Sequence, residues 1–149
     1  SVTLDTTSFV AGEQGLVRVW VSDGIHTASD QSDAPFRIPN HPPAVRIVQP
    51  ADHTALFVEQ SLNLEAEAYD SDSGTIDDAQ VRWTSDRDGV LGDGAQLTIA
   101  SLSAGVHLIT VTADDGQGGV ATASIAVTVR DDLAEPVITT SLFLPVILK

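Results

Sequence analysis

The chain has 149 residues, with 21 Asp and Glu against 7 Lys and Arg, for a formal net charge of −14. An anionic surface of that size repels nucleic acid and anionic membranes, whose phosphates are held through Lys and Arg. The sequence contains no Cys and no Met, which excludes a disulfide framework, thiolate chemistry and Cys-ligated zinc. No apolar run approaches the roughly 18–20 residues of a membrane-spanning helix. Ser1 stands where an initiator Met would, which reads as a processed product or an excised piece.

Helical periodicity is nearly absent. Val, Thr, Ile and Ala recur in alternating runs broken by Gly, Asp, Asn and Pro, the signal of many short antiparallel strands. The first run is explained by a repeat. Leu4 to Phe9 matches Leu97 to Leu102 in spacing. Val17, Val19 and Val21 before Ser22-Asp23-Gly24 match Ile109, Val111 and Ala113 before Asp114-Asp115-Gly116. The offset is roughly 92–93 residues, the length of one β-sandwich domain. Residues 1–39 therefore read as strands E, F and G of an upstream sandwich. Three strands bury one face of one sheet and leave it uncovered, so either the chain was cut there or another polypeptide supplies the rest.

Residues 40–43, Asn40-His41-Pro42-Pro43, form a stiff linker, because two prolines fix φ. A complete domain follows over 44–130. Strand A is Ala44–Val48, with an edge continuation over Ala55–Val58 beyond Pro50. Strand B is Ser61–Tyr69, with Leu62, Leu64, Ala66 and Ala68 on one face. Strand C, Gln80–Ser85, carries Trp83. Strands E, F and G are Gln96–Ala100, Val106–Ala113 and Val120–Val129. Clean alternation means one buried face per sheet, hence two packed sheets. Residues 131–149 hold a second linker and an apolar tail, Val137–Lys149, whose Pro145 restricts it to an edge strand. That tail suits either an added strand on its own domain or capture by a partner or export machinery.

Trp83 on strand C, the run Gly105-Val106-His107-Leu108-Ile109-Thr110-Val111-Thr112-Ala113 with its following Asp-Gly, and Gly119-Val120-Ala121 opening strand G carry a family likeness. Between Pro43 and Arg130 the chain resembles PKD-type and related Ig-like domains of bacterial secreted and cell-surface proteins. Two features depart from the PKD pattern. Thr84-Ser85-Asp86-Arg87-Asp88-Gly89 replaces an aromatic and Gly-Asp-Gly after the Trp, and His107 stands where an aromatic is usual. The resemblance implies an all-β, Ig-like (PKD-like) antiparallel β-sandwich, here preceded by the C-terminal half of a second sandwich. It also implies an extracellular or cell-surface location and a non-catalytic module. The short Leu144–Lys149 ending resembles apolar tails on exported proteins of some filamentous bacteria.

The strongest site candidate is the acidic B–C loop, Asp70-Ser71-Asp72-Ser73-Gly74-Thr75-Ile76-Asp77-Asp78. In a sandwich of this kind it lies at the same end as the F–G loop, Asp114-Asp115-Gly116-Gln117-Gly118, and the incoming linker. Calcium takes six to eight oxygens, several of them carboxylates on loops, and a divalent ion relieves their mutual repulsion. The preferred ligands are Asp70, Asp72, Asp78 and Asp115. Calcium at this end occurs in some PKD-like domains of bacterial collagenases, and the resemblance permits it here. The competing reading is a solvated turn, since Asp, Ser and Gly are ordinary turn residues. Asp23, the repeat partner of Asp115, reads as a turn former, as do Asp86–Gly89 and Gly92–Gly94.

His26, His41, His53 and His107 are scattered, without His-x₃-His or His-Glu-x-x-His spacing, which argues against zinc. No Ser lies in a Gly-x-Ser-x-Gly elbow. The paired carboxylates sit on turns without an apolar pocket to raise one of them, so no enzyme is expected. Trp83 reads as core, while Trp20 falls opposite the Val17-Val19-Val21 face, at a surface or a domain contact. Three functions follow. The leading one is a spacer, adhesion or accessory segment of a larger secreted protein, stiffened by calcium. The second is an assembly subunit that exchanges strands with other copies through its half-domain and tail. The third is a module tethering a secreted hydrolase to polysaccharide or protein fibre, against which an aromatic content of 5% counts.

Overall fold

The computed structural model describes residues 3–131, and the tail over 137–149 lies outside them. Four short strands come first: β1 (Gly12–Gly15), β2 (Arg18–Ser22), β3 (Thr27–Gln31) and β4 (Phe36–Ile38). β2 pairs antiparallel with β3, and β1 with β4. Together they make one interrupted hairpin. Leu4–Phe9, read from the sequence as strand E, contains no strand. The chain turns there instead, and Asp5 Oδ1 accepts from Thr7 N and Thr7 Oγ1. A carboxylate that captures the backbone two residues on favours a turn over a ladder.

The remaining strands are β5 (Ala44–Gln49), β6 (Thr54–Phe57), β7 (Leu62–Asp70), β8 (Gly74–Thr75), β9 (Val81–Ser85), β10 (Gly89–Asp93), β11 (Gln96–Ile99), β12 (Gly105–Asp114) and β13 (Val120–Arg130). One sheet has the order β10-β9-β12-β13-β6. The other has the order β11-β7-β5, with β8 added on β7. β6 runs parallel to β13 while the main ladders are antiparallel, so the chain changes sheets between β5 and β6.

Period-2 alternation decides what is buried. In β7, Leu62, Leu64 and Ala66 point inward, and in β12 His107, Ile109, Val111 and Ala113 do. Between the sheets, Leu64, Val81, Trp83, Ile109, Val111 and Val127 are all but inaccessible. Burying each such aliphatic side chain contributes roughly 1.5–3 kcal/mol. Trp83 places its indole in this core and donates from Nε1 to Gly94 O at 2.9 Å. His107 occupies a core position fully, between Ser85 Oγ at 2.8 Å and Ser103 O at 2.7 Å, so both ring nitrogens are partnered.

Two strands were not legible from sequence: β8, inside the acidic B–C loop, and β10. Asp86–Gly89 and Gly92–Gly94 read as turns, yet Gly89–Asp93 pairs with β9 through a bulge between Val90 and Gly92. Gly92 has φ +152, which favours glycine, and a Cβ there would meet the Leu97 side chain at 2.9 Å.

Candidate functional site at the linker joint

The register of β5 on β7, with Ala44 opposite Tyr69, brings the linker to the end where β7 and β12 both finish. The inward parity of each strand continues one step past its apolar residues. In β7 it reaches Asp70, and beyond β12 it reaches Asp115. Two carboxylates from opposite sheets thus cap the core beneath the linker. Asp70 is fully buried and Asp115 is 7% exposed.

Each carboxylate of the B–C loop has a separate task. Asp70 Oδ1 accepts from Asp72 N at 2.8 Å, Ser73 N at 2.7 Å and Ser73 Oγ at 3.1 Å, which shapes the loop. Asp70 Oδ2 is buried with no hydrogen-bond partner. Asp72 reaches out of its loop to the preceding chain. Its Oδ1 accepts from Ala11 N at 2.7 Å and its Oδ2 from His41 N at 2.7 Å. His41 Nδ1 lies 3.0 Å from Oδ1. The backbone N–H of His41, its imidazole and the Ala11 N–H hold the Asp72 carboxyl below the usual carboxylate range, against the opposing effect of burial.

Asp115 serves the F–G loop and the linker together. Its Oδ1 accepts from Gln117 N at 2.6 Å and Gly119 N at 2.9 Å, and its Oδ2 from Asn40 Nδ2 at 2.6 Å. Burial disfavours its charge, but the Asn40 amide and the two backbone donors outweigh that and lower its pKa. The Asp72 carboxylate pushes the other way. Gly119 makes this packing feasible, because an added Cβ would lie 3.0 Å from Pro42 Cα and against the Asp115 carboxylate. Asn40 Oδ1, like Asp70 Oδ2, is buried and unpartnered.

The four carboxylates singled out in the sequence therefore divide. Asp70, Asp72 and Asp115 belong to one joint. Asp78 is exposed and stands apart, with Oδ1 accepting from Ala95 N at 3.0 Å. Among the described residues, no group of three or more His, Cys, Asp or Glu side chains stands together as a metal-holding cluster. The sequence reading missed the parts played by Asn40, His41 and Ala11, since their partners lie 75, 31 and 61 residues away. Asp23 is a turn former: its Oδ1 accepts from Ile25 N and His26 N, much as Asp115 Oδ1 serves its own loop.

A groove of about 440 Å³ on the sandwich is bounded by Gln80, Arg82, Thr84, Thr112 and Asp114. It holds one carboxylate rather than a pair. Trp20 is exposed, with the Arg18 guanidinium 5.8 Å from its ring centre.

The layered arrangement resembles a solved structure, that of the fibronectin(III)-like modules of Clostridium thermocellum CbhA. The TM-score is 0.55 and the identity 21%, over 83% of this chain. The fold is an Ig-like β-sandwich. The chain spans 66% of the length of that neighbour, just under two thirds. No protein-family model and no curated protein sequence matches it.

Proposed function

We propose that this Ig-like sandwich is a non-catalytic spacer or accessory segment of a larger extracellular bacterial protein, close in type to PKD-like modules. The observation that carries this reading is the joint. Asp72 and Asp115 tie the B–C and F–G loops to Ala11, Asn40 and His41, so the two prolines of the linker leave in a fixed direction. A tether for a mobile partner needs no such bracing, whereas a spacer that sets distance and angle does. The fibronectin(III)-like neighbour comes from CbhA and supports a modular role of this kind. Small-angle X-ray scattering tests it. A spacer gives one elongated particle whose profile fits a single conformation, and a profile that needs an ensemble of linker angles refutes the reading.

One observation favours assembly as a second reading. Leu4, Phe9, Leu16, Val17, Phe36 and Ile38 line an open apolar cleft of about 390 Å³ in the N-terminal segment. Phe9 is 46% and Val17 41% exposed there. Strand addition by another copy would cover it. Light scattering separates the readings: a concentration-dependent rise in mass supports assembly, and a persistent monomer removes it.

A further inference from the structure

Among the described residues, sixteen large apolar side chains are exposed, and nine of them lie between Leu4 and Ile25. The sandwich, by contrast, closes over its own core. Leu4, Phe9, Leu16, Val17, Phe36 and Ile38 gather into the open cleft of about 390 Å³, within the range of roughly 300–1,000 Å³ in which proteins hold ligands. The strands around it form two separate two-stranded sheets, β1 with β4 and β2 with β3. A two-stranded ladder is marginal on its own in water, and its edges carry free backbone donors and acceptors. Cleft and edges together suit an extended apolar segment.

The sequence holds one such segment outside the described residues. Val137–Lys149 carries Leu142-Phe143-Leu144 and Val146-Ile147-Leu148 on either side of Pro145. Its one charged side chain is Lys149, so every Asp and Glu of the chain lies within residues 1–136. The segment therefore meets a body of opposite sign, including Asp5 beside Leu4, and opposite charges favour the encounter. Pro145 has no N–H to donate, which suits addition at a sheet edge rather than a place between strands.

Position decides whose segment fills the cleft. Asp72 holds Ala11 and Asp115 holds Asn40, so the cleft stands beyond the joint, at the end of the sandwich where β13 begins. The segment departs from the other end, after Arg130. The eleven residues of β13 separate the two ends, by about 33 Å at a strand's rise per residue. From Arg130 to Val137 the chain reaches at most about 25 Å. Within one molecule Val137 thus falls short of the joint, and only the far part of the segment can come near the cleft. A second copy has no such limit.

We propose that the cleft of one copy takes residues 137–149 of another as an added strand. The contact joins unlike surfaces at opposite ends of the molecule, so it is heterologous. Repetition gives head-to-tail chains or rings rather than an isologous two-fold dimer. This inference rests on the assembly reading and names the element that makes the contact.

Sedimentation velocity of the full chain over a concentration series tests it, with two full-length variants. Phe143→Asp alters the segment and Phe9→Asp the cleft, and far-UV circular dichroism checks that each is folded. The mass of the parent rises with concentration beyond that of a dimer. A charge at an apolar anchor removes a hot-spot contact, so each variant alone associates about thirtyfold more weakly or worse. Mixed in equal amounts, the two variants offer one intact segment to one intact cleft and give dimers that grow no further. Residues 137–149 carried on an inert soluble protein compete and lower the mass of the parent. A parent that stays monomeric overturns the proposal and the assembly reading together. Association that persists in Phe143→Asp overturns the segment as occupant and leaves the assembly reading standing. Folded variants that form no dimer when mixed also overturn the proposal. If Phe9→Asp does not fold, the competition decides, and an unchanged mass of the parent overturns the proposal.

Discussion

Removing the indole of Trp83 tests the core on which the rest of the molecule is hung. Trp83 is fully buried between the sheets, on β9, and its Nε1 donates to Gly94 O at 2.9 Å. Trp83→Ala deletes the largest side chain of the core and leaves a cavity that close-packed neighbours fill only in part. Such truncations cost about 3–5 kcal/mol. For a domain of about 90 residues, each kcal/mol moves the midpoint by roughly 4–8 °C, so the melting temperature falls by roughly 12 °C or more. Trp83→Phe separates packing from hydrogen bonding. It keeps an aromatic ring but leaves the Gly94 carbonyl without its donor, at about 1–3 kcal/mol, plus the contacts of the lost ring. Urea unfolding followed by far-UV circular dichroism gives both values, since fluorescence would lose its buried reporter. If Trp83→Ala lies within about 1 kcal/mol of the parent, Trp83 is not the centre of the core and the sandwich packing described above is wrong.

Other outcomes follow from the joint. Gly119→Ala drives a Cβ against Pro42 Cα and the Asp115 carboxylate. Overpacking of that sort costs about 1–3 kcal/mol, and limited proteolysis should cut within 32–43 faster than in the parent. Asp72→Ala frees Ala11 N and His41 N, so the same cleavage accelerates and the melting midpoint at pH 7 falls. Acid acts on the joint as well. Asp72 and Asp115 have folded pKa values below 3.8, their value when unfolded. Their contribution is therefore intact above about pH 4 and is lost as pH falls from 3.8 through the lower folded values. Melting between pH 7 and pH 3 should be flat to about pH 4 and then decline, and the decline should be shallower in Asp72→Asn.

Alternation and turn residues made the sandwich legible. The parity Leu62, Leu64, Ala66, Ala68 located the buried face of β7, and the same parity carried one step further places Asp70 inside. Trp83 was readable as core from its place on strand C, and His107 from standing where an aromatic is usual at the start of strand F. Strand β10 was hidden because its glycines spell turn, and only the approach of Leu97 to Gly92 reveals their purpose. Leu4–Phe9 failed as a strand because Asp5 claims the local backbone. At the site, the acidic loops were visible, but their division of labour was not. Asp78 and Asp72 lie in the same acidic loop, yet one holds Ala95, 17 residues on, and the other reaches 61 residues back to Ala11. Nothing in a stretch of sequence encodes that difference.

The braced joint is tested most directly by a distance measurement across it. The chain has no Cys, so Ser29→Cys on β3 and Thr98→Cys on β11, both at exposed positions, allow clean spin labelling. Double electron–electron resonance on the labelled chain should give one narrow distance distribution, which broadens when Asp72→Ala and Asn40→Ala are introduced together. A broad distribution in the parent, or one that the two substitutions leave unchanged, would contradict a linker fastened by the acidic loops.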